Sequence, residues 1–269
     1  MLTRENILHA LENALHPLPY VHALWQGGAS AFDRVDQWSD LDVQVVAEDG
    51  RIAETVAIIE ATLAALSPID LRYELPQPTW HGHWQAFYRL QEASEFLLID
   101  LLVMQHSNGN RFLQPEIHGE AVVHFDKSAL LHLPPPLDIA AHVRAMQERI
   151  AALRVLFEMF QVLTLKELHR GNSIEALAFY QAWTVRPLVE VLRMQHDPAR
   201  YNFHTRYIHY NLPPQVLARL EPLFFVASAP ELEHKLAQAS AWFRQASAQF
   251  DSEAARTLLE QASEQHYGV

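Results

Sequence analysis

A chain of 269 residues has room for one large domain or two ordinary ones, and 49% hydrophobic residues exclude a mainly disordered protein. A net charge of −12 argues against a protein that clamps nucleic acid along its phosphates, which needs dense Lys and Arg, and suits a small, cationic substrate better. The absence of cysteine excludes disulfide scaffolds, thiolate zinc sites and cysteine nucleophiles.

In chain order, Thr3 is a candidate N-cap for a first helix, with Ile7, Leu8, Leu11 and Leu15 on one face and an end near His16. Its charged residues make this N-terminus an amphipathic helix rather than a signal peptide, and no apolar run reaches the ~18 residues of a membrane span. A soluble, cytoplasmic protein is expected. Pro17 and Pro19 break the chain, after which Tyr20 to Trp25 reads as a strand ending at Gly27-Gly28. Leu41 to Ala47 reads as a second, largely buried strand, and Arg51 to Leu66 as a helix. Ile69 to Leu75, Trp84 to Leu90 and Phe96 to Met104 read as three more strands.

Around Pro134-Pro135-Pro136 the pattern changes to long helices, which places a domain boundary there. The expected fold class is α+β: a mixed-sheet domain over residues 1–133 and a helical bundle over residues 138–269. In the second part Leu153, Leu156, Phe157, Phe160 and Leu163 recur at helical spacing, as do Leu177, Tyr180, Leu188 and Leu192. Leu212-Pro213-Pro214 interrupts the pattern, a helix begins near Gln215, and Pro230 to Phe250 is expected to be the last long one.

Asp40 and Asp42, two apart in an expected strand, point to one face. Two like charges losing hydration together are costly unless a cation compensates, and magnesium, which favours hard oxygen ligands and nucleotide phosphates, meets that need. Asp100 stands inside the apolar run Phe96 to Met104, where a lone carboxylate needs a partner. If its strand neighbours that of Asp40, three carboxylates converge and can hold two metal ions ~4 Å apart, as phosphoryl-transfer sites do. Gly27 and Gly28 allow backbone amides to approach phosphate, and Ser30 adds a hydroxyl, although two glycines after a strand also mark an ordinary turn.

Taken in order, Gly27-Gly28-Ala29-Ser30, then Asp36-Gln37-Trp38-Ser39-Asp40-Leu41-Asp42, then Asp100, the chain resembles the DNA polymerase β-like nucleotidyltransferase superfamily. Its nearest-looking members are the small-molecule branch, the aminoglycoside and lincosamide nucleotidyltransferases. His169-Arg170-Gly171, Glu175-Ala176-Leu177 and Pro187-Leu188-Val189 extend the resemblance to their helical C-terminal domains. The resemblance implies transfer of a nucleoside monophosphate from ATP or another nucleoside triphosphate to a hydroxyl of a small-molecule acceptor held between the domains. It implies metal binding by Asp40, Asp42 and Asp100, and nucleotide binding by Gly27, Gly28, Ser30 and Ser39. The chain departs from the family pattern at Ala29, which stands where serine normally binds phosphate, and at Phe32-Asp33, which replaces an Arg-Gly pair. These departures favour an alternative: a protein that keeps the fold, has lost catalysis, and serves as a binding or regulatory, antitoxin-like module. Modification of a protein or RNA acceptor is a third option, which the acidic balance does not support.

Each of these residues also has a plain structural explanation. Asp40 and Asp42 can be solvent-facing acids on an edge strand, and Asp100 can pair with Arg72 or Arg89. His81-Gly82-His83 lacks a third ligand at helical spacing and is expected to be surface histidine. Arg200 to Tyr210, cations interleaved with aromatics, reads as an interdomain loop packed by its own rings. Glu167 and Glu175, beside the Arg170-Gly171 turn, read as exposed helix glutamates.

Overall fold

Thr3 starts the first helix, α1 (Arg4–Leu15), by a reciprocal cap: its hydroxyl accepts from the Asn6 N–H, and the Asn6 side chain accepts from the Thr3 N–H. The computed structural model describes residues 2–131 and 136–267, so Pro134 and Pro135 of the expected boundary lie outside the described residues. After α1 come β1 (Val21–Gln26), β2 (Leu41–Ala47), α2 (Ile52–Leu66), β3 (Ile69–Glu74), β4 (Trp84–Leu90), β5 (Ile99–Gln105), the one-turn α3 (Pro115–His118) and β6 (Val122–Asp126). The strands form a six-stranded sheet in the order β3-β4-β5-β2-β1-β6. Only the β2–β5 pair at its centre is parallel; each other neighbouring pair is antiparallel.

Strand alternation divides the sheet into two faces. Leu41, Val43 and Val45 of β2, Ile99, Leu101 and Val103 of β5, and Ala86 and Tyr88 of β4 pack against α1 and α2 in the larger core. Val46, Leu102, Met104, Ala23 and Trp25 face the other way, into a smaller core closed by Leu113 with Phe112, Ala121, Leu130 and Leu131. Asp42 and Asp100 belong to this second face, at the end of the sheet where β2 and β5 begin.

Three features of this part differ from expectation. Asp40 precedes β2 rather than lying in it, and is exposed. The strand expected from Phe96 starts at Ile99, because Ser94 to Leu98 closes turns through Leu97 N–H to Ser94 carbonyl (3.0 Å) and Leu98 N–H to Phe96 carbonyl (3.1 Å). β6, whose short Val-Val-His-Phe-Asp run carries little alternation, forms because β1 offers it an edge.

The chain divides into two compact units, Met1–Pro136 and Leu137–Val269. The second is helical. Asp138 caps α4 (Ile139–Arg170) by accepting from the Ala141 N–H at 2.9 Å, and Gly171, in the left-handed region at φ 78°, ends it. α5 (Ser173–Tyr180) runs through a π-turn, Gln181–Val185, into α6 (Arg186–His196). Gln161 of α4 holds that turn, donating to the Trp183 carbonyl (2.9 Å) and accepting from the Thr184 hydroxyl (2.8 Å). α7 (Ile208–Asn211), α8 (Pro214–Leu220) and α9 (Ala229–Ala248) follow, with the Phe157 and Phe243 rings stacked at 3.7 Å between α4 and α9. A further long helix, α10 (Ser252–Tyr267), corrects the expectation that Pro230 to Phe250 was the last; it buries Ala255 and Leu259, a stripe too narrow to announce itself. The Arg200–Tyr210 segment lies wholly within this unit. No helix among the described residues is long and apolar enough to cross a membrane.

Candidate active site at the paired aspartates

The parallel register sets Asp42 directly beside Asp100, with Leu41 beside Ile99 and Val43 beside Leu101. Period-two alternation puts both carboxylates on the face away from α1 and α2. The arginines considered for Asp100 pair elsewhere: Arg72 with Glu60 and Glu74, each at 2.7 Å, and Arg89 with Asp70. Asp100 Oδ1 instead accepts from Gln85 Nε2 at 2.6 Å, a diagonal neighbour on β4.

Gly28 lies against Asp42. Its φ of +56° is in the left-handed region, and a Cβ there would meet Asp42 Oδ2 at 1.8 Å, so no other residue fits without displacing the carboxylate. The Gly27 N–H extends the ladder by donating to the Asp42 carbonyl at 3.2 Å. The chain therefore passes from the end of β1 across the start of β2 with bare backbone over the acid.

The rest of the loop is organised by side chains of its own. Ala29 to Phe32 forms a 3-10 turn, Ser30–Phe32, and Asp33 follows at φ 52° with its side chain exposed. The Arg34 guanidinium lies 5.0 Å from the centre of the Phe32 ring. Asp36 accepts from the Trp38 N–H (3.0 Å) and the Ser39 hydroxyl (2.8 Å), while that hydroxyl accepts from the Asp36 N–H (2.9 Å). Ser39 thus serves the turn that delivers Asp40, and Trp38, 60% exposed, projects from it.

Arg4 was not singled out in the sequence. Its guanidinium donates to the Ser39 carbonyl at 2.8 Å and to the Asp40 carbonyl, and approaches the Ser30 hydroxyl at 3.4 Å. Burial lowers its pKa from the ordinary value, and Asp42, Glu5, Asp40 and Asp36 act against that lowering. The Ser30 hydroxyl in turn donates to Gln26 Oε1 at 3.2 Å, and Gln26 Nε2 meets His124 Nε2 at 2.9 Å. The only available signal was Arg4's place at the first helical position, and helix periodicity does not say what a long side chain reaches.

His81 and His83 are buried, 7% and 1% exposed, which corrects the surface expectation. Gly82 at φ +77° folds the segment back so that both imidazoles turn inward and stack, with ring centres 5.4 Å apart. Thr79 donates to the His83 carbonyl at 2.6 Å, and the His83 ring meets the Asn110 carbonyl at 2.6 Å through Nε2. Burial lowers the His83 pKa below its ordinary value.

A divalent cation fits the donor set through Asp42 and Asp100. Magnesium is characteristically held by one or two carboxylates with substrate phosphates completing its shell, so a cage of protein ligands is unnecessary. Among the described residues no group of three or more His, Cys, Asp or Glu side chains is gathered to hold a metal. Asp40, expected as a third ligand, is exposed and lies one residue before β2, and is not gathered with the pair.

Among solved structures, the chain is similar to an aminoglycoside 6-adenyltransferase from Bacillus subtilis, at 11% identity over 100% of both chains with a TM-score of 0.36. It is similar to a nucleotidyltransferase-like protein from Exiguobacterium sibiricum, at 13% identity over 91% of this chain and 75% of that one, TM-score 0.37. It is similar also to a STING-associated CdnE c-di-GMP synthase from Capnocytophaga granulosa, at 12% identity over 93% of this chain and 80% of that one, TM-score 0.32. The activities in these names are those proteins' own. No family model matches the sequence, and no curated protein matches it.

Proposed function

We propose that the chain is a metal-dependent nucleotidyltransferase that moves a nucleoside monophosphate from a nucleoside triphosphate to a hydroxyl of a small-molecule acceptor. The observation that carries this is the in-register pair Asp42 and Asp100 with Gly28 backbone over Asp42. Two like charges side by side under bare backbone make a site for a cation with a phosphate, and the acidic chain suits a cationic acceptor.

In the transfer, the acceptor oxygen forms a bond to the α-phosphorus, the bond from that phosphorus to the β-phosphate oxygen breaks, and pyrophosphate leaves with the electron pair. Asp42 and Asp100 would hold divalent metal, with Asp40 assisting at the exposed edge. Once bound, such a cation would supply neutralisation of the phosphates and a lower pKa for the attacking hydroxyl. Gly27 and Gly28 let the phosphates approach the backbone, and Asp100 receives the hydroxyl proton. Arg4 offsets the repulsion among the loop acids and keeps Ser39 and Asp40 in place.

A second proposal, a protein of this fold that binds or regulates without transfer, is favoured by the Ser30 hydroxyl. That group already donates to Gln26 and lies beside Arg4, in a loop with Ala29 at the usual serine position. Calorimetric titration with each nucleoside triphosphate, with and without magnesium, separates the two when paired with an assay for released pyrophosphate. Magnesium-dependent binding with turnover, both lost in Asp42→Asn at unchanged circular dichroism, is the expected result. Binding without pyrophosphate release supports the second proposal, and an Asp42→Asn variant with full turnover overturns the first.

A further inference from the structure

The Thr79-Trp80-His81-Gly82-His83 turn, which buries Thr79, His81 and His83, is joined by hydrogen bonds to the candidate site. His81 Nδ1 accepts from the His83 backbone N–H at 3.1 Å, which leaves Nε2 as the protonated nitrogen of the neutral ring. Nε2 faces Gln85 Oε1 at 3.1 Å and donates to it. The Gln85 amide is thereby oriented: its oxygen meets His81 and its NH2 group meets Asp100 Oδ1 at 2.6 Å. The opposite orientation would bring two donors together at His81 and two acceptors together at Asp100.

The turn itself is fixed from both sides. The Gly82 N–H donates to the Thr79 carbonyl at 3.1 Å, Thr79 donates to the His83 carbonyl, and Asn108 Nδ2 meets His83 Nδ1 at 3.4 Å. A carboxylate on a strand has a choice of rotamers, whereas one gripped by an amide whose own orientation is set by a buried imidazole has far fewer.

We propose that His81 and Gln85 form a positioning relay that aims the Asp100 carboxylate for divalent metal and triphosphate, with the His81-Gly82-His83 turn as its rigid base. The relay rests on the nucleotidyl-transfer reading of the site. Neither residue touches substrate; both act through Asp100, as the groups behind metal-binding carboxylates generally do, and loss of such a group lowers metal affinity about 10–100-fold.

The test uses Mn2+ with a nucleoside triphosphate on the full chain, followed by electron paramagnetic resonance, in the wild type, Gln85→Met, His81→Phe and the double variant. Urea midpoints are measured alongside. The expected result is an affinity loss of about 10–100-fold in Gln85→Met, more than any fall in its urea midpoint accounts for, with the double variant no weaker than the weaker single one. Wild-type binding retained at full strength in Gln85→Met overturns the relay alone; a wild type that binds no Mn2+ with triphosphate overturns the underlying reading as well. Should His81→Phe fail to fold, two-bond 1H–15N correlation on the wild type decides independently. A proton on His81 Nε2, with the Gln85 amide signals moved by Asp100→Asn, supports the relay, and a proton on Nδ1 overturns it.

Discussion

The two units hold their embedded charges in opposite ways. In the second, the fully buried Arg193 guanidinium donates to Asp197 at 2.8 Å, to the His204 carbonyl at 2.6 Å and to the Arg206 carbonyl. Asp197 accepts also from Arg200 at 3.0 Å. Charge and countercharge lie within one segment, so this cluster is closed and its purpose is to fix the 197–206 loop. In the first unit, like charges stand together: Asp42 and Asp100 are neighbours across the sheet, with glycine backbone and the field of Arg4 on one and an amide on the other. A buried ion pair explains itself as structure, whereas adjacent carboxylates are where the proposed divalent cation would be held.

The sharpest way to break that contrast is to remove one member from each side. Arg193→Met is expected to destabilise the protein by about 3–5 kcal/mol in urea unfolding, because it strips a buried acid and the carbonyls of the loop of their shared donor. Asp42→Asn should leave the urea midpoint unchanged or raise it, by relieving repulsion, while abolishing metal-dependent binding. A large stability loss in Asp42→Asn would mean that this pair, too, is structural.

Gly28→Ala should act on both properties. The left-handed backbone costs an L-residue about 1–2 kcal/mol, and the new Cβ must displace the Asp42 carboxylate. Triphosphate affinity measured by calorimetry is expected to fall by more than the stability loss accounts for. If it does not, the close approach of Gly28 to Asp42 serves only the turn.

The smallest effect is a pH dependence. Burial holds the His83 imidazole, and partial loss of hydration the more exposed His196, below their ordinary 6.5, so the unfolded chain takes up protons there before the folded one does. Stability present above pH 6.5 therefore declines as pH falls through the window below it. His83→Gln and His196→Gln should each make the decline in urea stability shallower, reporting on the first and second unit respectively. An unaltered slope in either variant would remove that histidine from the acid response.

Legibility along the chain followed the range of the forces involved. The Leu41–Ala47 and Trp84–Leu90 strands and the Thr3 cap were readable because side-chain alternation and capping act over a few residues. β6 was not, since Val122 to Asp126 becomes a strand only by pairing with β1. Likewise, His81 and His83 look like surface residues until Gly82 folds them under the 108–112 segment.

By itself, then, the sequence determined the alternation that puts Asp42 on one face and Asp100 on one face, the glycines able to turn closely, and the α+β division of elements. Tertiary structure alone decided that those faces are the same face and those residues neighbours. Parallel strands so far apart in the chain have a register set by packing on both sides of the sheet, and no local rule contains it. The same is true of Arg4 and of the His81–Gln85 contact to Asp100: long or oriented polar side chains find partners that only the assembled fold brings within reach.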